Sequence, residues 1–264
     1  LREALKIRIE KLDWMSADTK KKALEKWGTF VAKIGYPDHW RDYSGVNIAR
    51  NNYFANVSAL KKFNQAFNTA KIGKPVDRSE WVMTPPTVNA YYRANLNEIV
   101  FPAGILRFPF FDFEADDAIN YGGIGAVIGH EMTHGFDDEG RKYDADGNLK
   151  DWWTKQDAVE FTKRATAIIK QFNEFVPVDS LHVNGDATQG ENIADLGGLL
   201  IGLDAFKKTA TYKEGKLING QTPLQRYFLG YAYAWMYQTR KESLANQVKT
   251  DVHSPAKERV RSEE

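Results

Sequence analysis

His130-Glu131-Met132-Thr133-His134 is the stretch whose residue types and spacing can do chemistry. On a helix, residues four apart lie one above the other on the same face, so His130 and His134 can aim two imidazole nitrogens at one metal ion. Glu131 falls about 100° around that helix, beside the position such an ion would leave open. Two neutral nitrogen ligands suit zinc, and an adjacent carboxylate is the base that a zinc-activated water needs. The chemistry expected of these residues is hydrolysis.

A catalytic zinc takes three protein ligands and keeps one open position. The candidate for the third ligand is Glu191 in Glu191-Asn-Ile-Ala-Asp195, which opens a second apolar helix. Glu191 and Asp195 are i and i+4, so both acids project from one helical face. One can bind the ion, and the other can accept the remaining N–H of a ligand histidine and hold its tautomer. The bland alternative is a solvated acidic helix start that suits the helix dipole. Gly197 and Gly198 would let this helix pack closely on the glycine-rich motif helix. Asp251-Val-His253 is a further candidate, since an imidazole oriented by an acid can donate to an oxyanion. Taken alone, it is more often a loop with a satisfied histidine.

The elements that must position these groups are mostly helical. Leu5, Ile9 and Leu12 share one face of a first helix, and Leu24, Trp27, Phe30 and Val31 predict a second over Ala17–Ala32, stopped by Gly35 and Pro37. A third is expected over Ile48–Lys71, before a seam at Gly73-Lys-Pro75. Thr87–Tyr92 and Glu98–Phe101, separated by the turn-prone Ala94–Asn97, predict a hairpin. Helices are then expected over about 117–136, 155–176, 191–210 and 221–246. Asp144-Ala-Asp-Gly-Asn148 reads as a tight turn, because a calcium loop would need a bidentate Glu at its twelfth position.

A chain of 264 residues can bury a sizeable core as one domain. Its 36 basic and 35 acidic residues leave a net charge of +1, which gives no field to attract nucleic acid. No apolar run approaches the length of a membrane span. The absence of cysteine excludes disulfides, thiolate ligands and cysteine nucleophiles, and fits a bacterial source better than a vertebrate ectodomain. Leu1 opens in the middle of an amphipathic pattern without an initiator Met, so a piece of a longer protein is expected.

Five blocks together resemble the catalytic domain of the neprilysin family of zinc endopeptidases, the M13 metallopeptidases. They are Val88-Asn-Ala-Tyr-Tyr92, Ile99-Val-Phe-Pro-Ala-Gly-Ile-Leu106, the run from Gly122 through the histidine motif to Asp138, Gly190-Glu-Asn-Ile-Ala-Asp-Leu-Gly-Gly198 and Asp251-Val-His-Ser-Pro255. The resemblance implies an α+β, predominantly helical, thermolysin-like zincin with a small sheet and the H-E-x-x-H on its active-site helix. It implies one zinc ion on His130, His134 and Glu191, with Glu131 as the base. Asp195 would hold a ligand histidine, and His253, steadied by Asp251, would stabilise the oxyanion. Asn89 and Ala90 would bind substrate backbone by strand addition. Arg259 would grip a substrate carbonyl, and Ile105, Phe110, Val127 and Trp235 would form an apolar pocket for the residue after the cut bond.

The resemblance also implies oligopeptide substrates and a large helical cap, of which only the end would lie within 1–73. On this reading residues 1–264 form one catalytic domain, with the zincin core from 74 onward. A secreted, periplasmic or cell-surface setting would follow, although no signal peptide is visible and the cytoplasm stays open. Family members continue beyond the point where this chain stops, which puts the role of Arg259 at risk of fraying. Two rivals stand beside the endopeptidase. One is a catalytically silent zinc- and peptide-binding fragment lacking its cap. The other is an aminopeptidase, which would need an acidic site for a free amino terminus that the sequence does not display.

Overall fold

The computed structural model describes residues 1–261. The chain divides into two compact units, one made of Leu1–Gly35 with everything from Pro85 onward, the other of Tyr36–Thr84. The seam therefore does not fall at Gly73. Residues 1–35 belong to the unit that carries the histidine motif, because α1 (Arg2–Lys11) and α2 (Ala17–Gly28) bury Ala4, Leu5, Ile9 and Ala23 in its main apolar core. The smaller unit holds α3 (Tyr53–Thr69), capped by Asn52 accepting from the Ala55 N–H and shorter at both ends than its apolar pattern predicts.

The second helix was expected to run to Ala32 but stops at Gly28. Val31–Gly35 is instead strand β1, which pairs parallel with β3 (Glu98–Pro102) in the register Val31↔Glu98. A helical period is ambiguous over so short an apolar run, and the ladder with a buried strand decides it. β2 (Tyr91–Arg93) pairs antiparallel with β3, so the sheet order is β1-β3-β2. The hairpin is where the sequence places it, although its first strand starts at Tyr91 rather than Thr87. Its turn ends on Asn97 at φ 49°, a left-handed conformation that asparagine tolerates better than most residues. Every residue of the central β3 is buried, and β2 lies at an edge.

The predicted motif helix is composite. α4 (Asp117–Asn120) passes through one π-turn, Tyr121–Gly125, into α5 (Ala126–Thr133). Single π-turns inside helices recur at functional sites because they re-aim the side chains that follow. α6 (Lys155–Asn173) is capped by Thr154, and α7 (Gln189–Phe206) begins two residues before Glu191. The chain from 207 onward separates into α8 (Ala210–Glu214), α9 (Pro223–Ala234), α10 (Lys241–Thr250) and α11 (Ala256–Arg261). The single helix expected over 221–246 is thus broken after Ala234, where Trp235 leaves the helix and packs under the Arg259 guanidinium, 4.0 Å from its ring centroid. Among the described residues, no helix is long and apolar enough to cross a membrane.

The crossing of α5 and α7 sets the site. A Cβ on Gly129 would lie 2.8 Å from the Gly198 Cα, and one on Gly198 would lie 2.6 Å from the His130 nitrogen. Only glycine at both positions lets the two backbones meet. The close packing expected from Gly197-Gly198 is therefore realised at both positions, Gly198 against the α5 backbone and Gly197 against the Thr133 side chain at the end of α5.

Candidate metal centre and active site

His130 sits in the last turn of α5 and His134 caps its end, with their Nε2 atoms 2.9 Å apart. Each Nδ1 faces a carboxylate: His130 Nδ1 lies 2.9 Å from Asp195 Oδ1, and His134 Nδ1 lies 2.6 Å from Asp137 Oδ2. Those contacts assign the N–H to Nδ1 in both rings and leave both Nε2 lone pairs turned inward. Glu191, in the first turn of α7, completes the cluster. Its Oε2 lies 3.3 Å from His130 Nε2 and its Oε1 3.7 Å from His134 Nε2. The i, i+4 pair of acids is thereby divided: Glu191 faces the Nε2 atoms, and Asp195 takes the far side of His130.

The donor set fits a zinc ion. Nitrogen and carboxylate ligand atoms of His130, His134 and Glu191 all lie within 4.8 Å of one another. Glu191 Oε2 is buried without a hydrogen-bond partner, since the neighbouring Nε2 approaches it outside hydrogen-bond geometry. Imidazole nitrogens and carboxylate oxygens that converge out of water are costly unless a cation, a proton or a metal ion, satisfies them.

The surrounding charge points the same way. Burial opposes protonation of His130, yet Asp195 and Glu191 outweigh it and push its pKa up to about 10. Burial likewise works against the Glu191 carboxylate, but the histidines around it hold its pKa down at about 2. Asp195 is also buried, and Arg259 and His130 keep its carboxyl well below the ordinary range. The site is built to hold positive charge. Glu131, 5 % exposed, behaves differently: burial pushes its carboxyl above the ordinary value against the pull of His130 and His134. A raised carboxyl that can take and release a proton is what general-base work needs.

His253 joins this cluster, with Nδ1 2.7 Å from Asp251 Oδ1 and Nε2 3.3 Å from Glu191 Oε2. Its side chain is half exposed, on the open side of the site. Arg259 departs from expectation. Rather than reaching out for substrate, it is 4 % exposed and donates through Nε to Asp195 Oδ2 at 2.5 Å and through Nη2 to Asp195 Oδ1 at 2.6 Å. It is buried in α11 between Asp195 and Trp235. The four pocket candidates are not brought together. Ile105, Phe110 and Val127 pack in one apolar cluster, while Trp235 belongs to a second, around Tyr227 and Tyr231. Asn89 is exposed and Ala90 buried immediately before the edge strand β2.

Two positioning residues escaped the sequence reading. Asp137 orients His134 as Asp195 orients His130, and its only signal was an acid three residues beyond the second histidine. Asn192 accepts from the Ser254 hydroxyl at 2.9 Å and so ties the Asp251–His253 loop to α7. Its signal was a polar side chain between two acids on an otherwise apolar helix.

The chain matches the model of peptidase family M13 over residues 89–263, and that family's N-terminal model over residues 1–37. It is 41% identical to human neprilysin and 39% identical to an endothelin-converting enzyme homolog of Locusta migratoria, in each case across 98% of its length. It spans only 36% and 37% of those relatives' own length. Among solved structures it resembles the zinc metalloprotease Zmp1 of Mycobacterium tuberculosis, crystallised with an inhibitor. That likeness has a TM-score of 0.96 and 48% identity, covering 99% of this chain and 41% of that one. It also resembles PepO of Lactobacillus rhamnosis, at a TM-score of 0.87 and 35% identity over 98% of this chain and 40% of that one.

Proposed function

The chain belongs to peptidase family M13, and from that premise we propose that it is the catalytic part of a zinc-dependent endopeptidase that cuts oligopeptides. The observation that carries this reading is the convergence of the Glu191 carboxylate on two histidine nitrogens, Oε2 toward His130 Nε2 and Oε1 toward His134 Nε2, with the buried carboxyl of Glu131 beside them. His130, His134 and Glu191 would hold one zinc ion. Bound there, zinc supplies Lewis acidity, polarising the scissile carbonyl and bringing the pKa of a water to about 7.

The chain's own residues do the rest. Glu131 takes the proton from the attacking water and delivers it to the leaving amine. His253, held by Asp251, donates to the developing oxyanion from the open side of the site. Asp195 and Asp137 keep the two ligand imidazoles in one tautomer. The edge strand β2, entered through Asn89 and Ala90, offers backbone groups to an extended peptide. Ile105, Phe110 and Val127 supply the apolar wall that would favour a hydrophobic residue after the cut bond. Arg259 acts through Asp195 instead of on substrate. Residues 1–264 form one catalytic domain on this reading, and a cap that limits substrate size would come from elsewhere in a longer protein, in keeping with a secreted, periplasmic or cell-surface setting.

An internally quenched peptide with both ends blocked tests the proposal. Cleavage is expected to stop on chelation, to return with zinc, and to be abolished by Glu131→Gln while one equivalent of zinc stays bound. Cleavage that survives Glu131→Gln would overturn the mechanism. Zinc-loaded chain without cleavage would support the alternative, a zinc- and peptide-binding module.

A further inference from the structure

Lys26 has no place in the hydrolytic machinery just described, yet it is 0 % exposed in the middle of the larger unit. It falls on the buried stripe Thr19, Ala23, Lys26 of α2, where an apolar side chain is the ordinary choice. Its ammonium donates to two backbone carbonyls, Gly140 O and Tyr143 O, both at 2.7 Å. The rings of Phe136, Tyr92 and Trp152 lie 5.7, 5.8 and 6.0 Å from it, a cation–π enclosure that excludes water. Burial pushes its pKa down to about 7, against the pull of Asp137 and Asp144. A buried ammonium is costly to keep, so its partners indicate what it is kept for.

Those partners bound one short element, the 3-10 turn Gly140–Lys142 that follows the histidine motif. Gly140 accepts from Lys26 through its carbonyl and, on the preceding peptide group, donates its N–H to Asp137 Oδ1 at 2.6 Å. Glu139 N–H donates to that oxygen as well, at 3.0 Å. The other oxygen of Asp137 faces His134 Nδ1 at 2.6 Å. A path of three hydrogen-bonded contacts therefore runs from the ammonium through residue Gly140 and Asp137 to His134. Asp195, the counterpart on His130, is held by a cation directly, through Arg259. On the His134 side the cation acts one residue further out.

We propose that Lys26 is a positioning residue for the metal centre: its ammonium fixes the Gly140 turn, the turn fixes Asp137, and Asp137 fixes His134. The proposal rests on the zinc reading above. Removing the group bonded directly to a ligand histidine, here Asp137, costs a metal site about 10- to 100-fold in affinity, which is the upper bound for Lys26 acting through it.

The test is the zinc dissociation constant of the full chain, measured by competition with a chromogenic chelator. It is read beside the melting temperature in excess EDTA. Lys26→Met, close in shape but uncharged, is expected to weaken zinc by more than about twofold and by no more than the roughly 10- to 100-fold of a direct partner. Asp137→Asn should weaken it about 10- to 100-fold, and the double variant should lose little more than Asp137→Asn alone, because both act on one path. A Lys26→Met protein with a lower melting temperature in EDTA but zinc affinity within about twofold of the parent would overturn the proposal, as would losses that multiply in the double variant. If Lys26→Met does not fold, Lys26→Gln keeps an N–H donor and is read by the same criterion, unchanged zinc affinity again overturning the role. A parent chain that fails to bind zinc would instead overturn the metal reading itself, so the two failures are distinct.

Discussion

Arg259 grips Asp195 with one edge of its guanidinium, Nε to Oδ2 at 2.5 Å and Nη2 to Oδ1 at 2.6 Å. Asp195 in turn faces His130 Nδ1 at 2.9 Å, so α11 reaches the metal centre through one carboxylate. The opposite face of the guanidinium is covered by Trp235. This pair places the end of the described chain inside the site's support.

Arg259→Met should leave a buried carboxylate without its partner. Breaking such a pair costs about 3–5 kcal/mol, and urea unfolding of the zinc-loaded chain would measure it. Zinc affinity should fall in parallel. If Arg259 served only substrate, stability and zinc affinity would stay at parent values while KM rose.

Gly198→Ala and Gly28→Ala make the same chemical change with opposite expected outcomes. A Cβ at 198 would press on the His130 backbone at 2.6 Å, forcing α5 and α7 apart, whereas nothing lies within 4 Å of one at 28. The first should destabilise by about 1–3 kcal/mol and weaken zinc binding. The second, at the end of α2, should be neutral or stabilising by up to about 1 kcal/mol. Chemical denaturation of the two variants side by side checks the contrast.

Asp157 gives a pH prediction. It is 2 % exposed and accepts from Ser16 N–H and from the hydroxyls of Ser16, Thr19 and Thr154 at 2.5–2.9 Å, joining α2 to α6. Burial alone would raise its pKa, but these donors hold it at about 2, against an ordinary 3.8. The folded value is the lower one, so its stabilisation is complete above pH 3.8 and is lost as pH falls toward 2. The amount is about 2 kcal/mol. Asp157→Asn should remove that part of the acid-induced loss between pH 4 and 2, followed as melting temperature against pH.

Metal removal should be visible in stability without any substrate. Zinc at about a thousand times its Kd should stabilise the folded chain by about 4 kcal/mol, since a site assembled from α5 and α7 exists only in the folded state. Glu131→Gln should keep that increment, because it is not a ligand. Glu191→Ala should lose most of it. A thermal shift that survives Glu191→Ala would remove Glu191 from the ligand set.

Helical spacing made much of this site legible. The i, i+4 pair His130 and His134 can share a face only as a helix, and Gly197 and Gly198 indicate a close crossing with the glycine-rich motif helix. Other features lay outside that logic. Asp137 belongs to no periodic pattern, since it follows the helix end, and Lys26 looked like one more charge in a lysine-rich helix. Val31–Gly35 satisfies a helical period as well as an extended one, and only its ladder with Glu98–Pro102 makes it a strand.

By itself the sequence determined which groups could meet a metal ion, because ligand chemistry and helical periodicity are local properties of residue type and spacing. It left open which acid of Glu191 and Asp195 faces the histidines, where Arg259 points and what Lys26 is for. Tertiary structure decided those, through contacts between residues up to 117 positions apart, such as Lys26 with Tyr143. The physical reason is desolvation. A buried charge must find its partner wherever the packed backbone brings one, and no short-range pattern in the chain records that place.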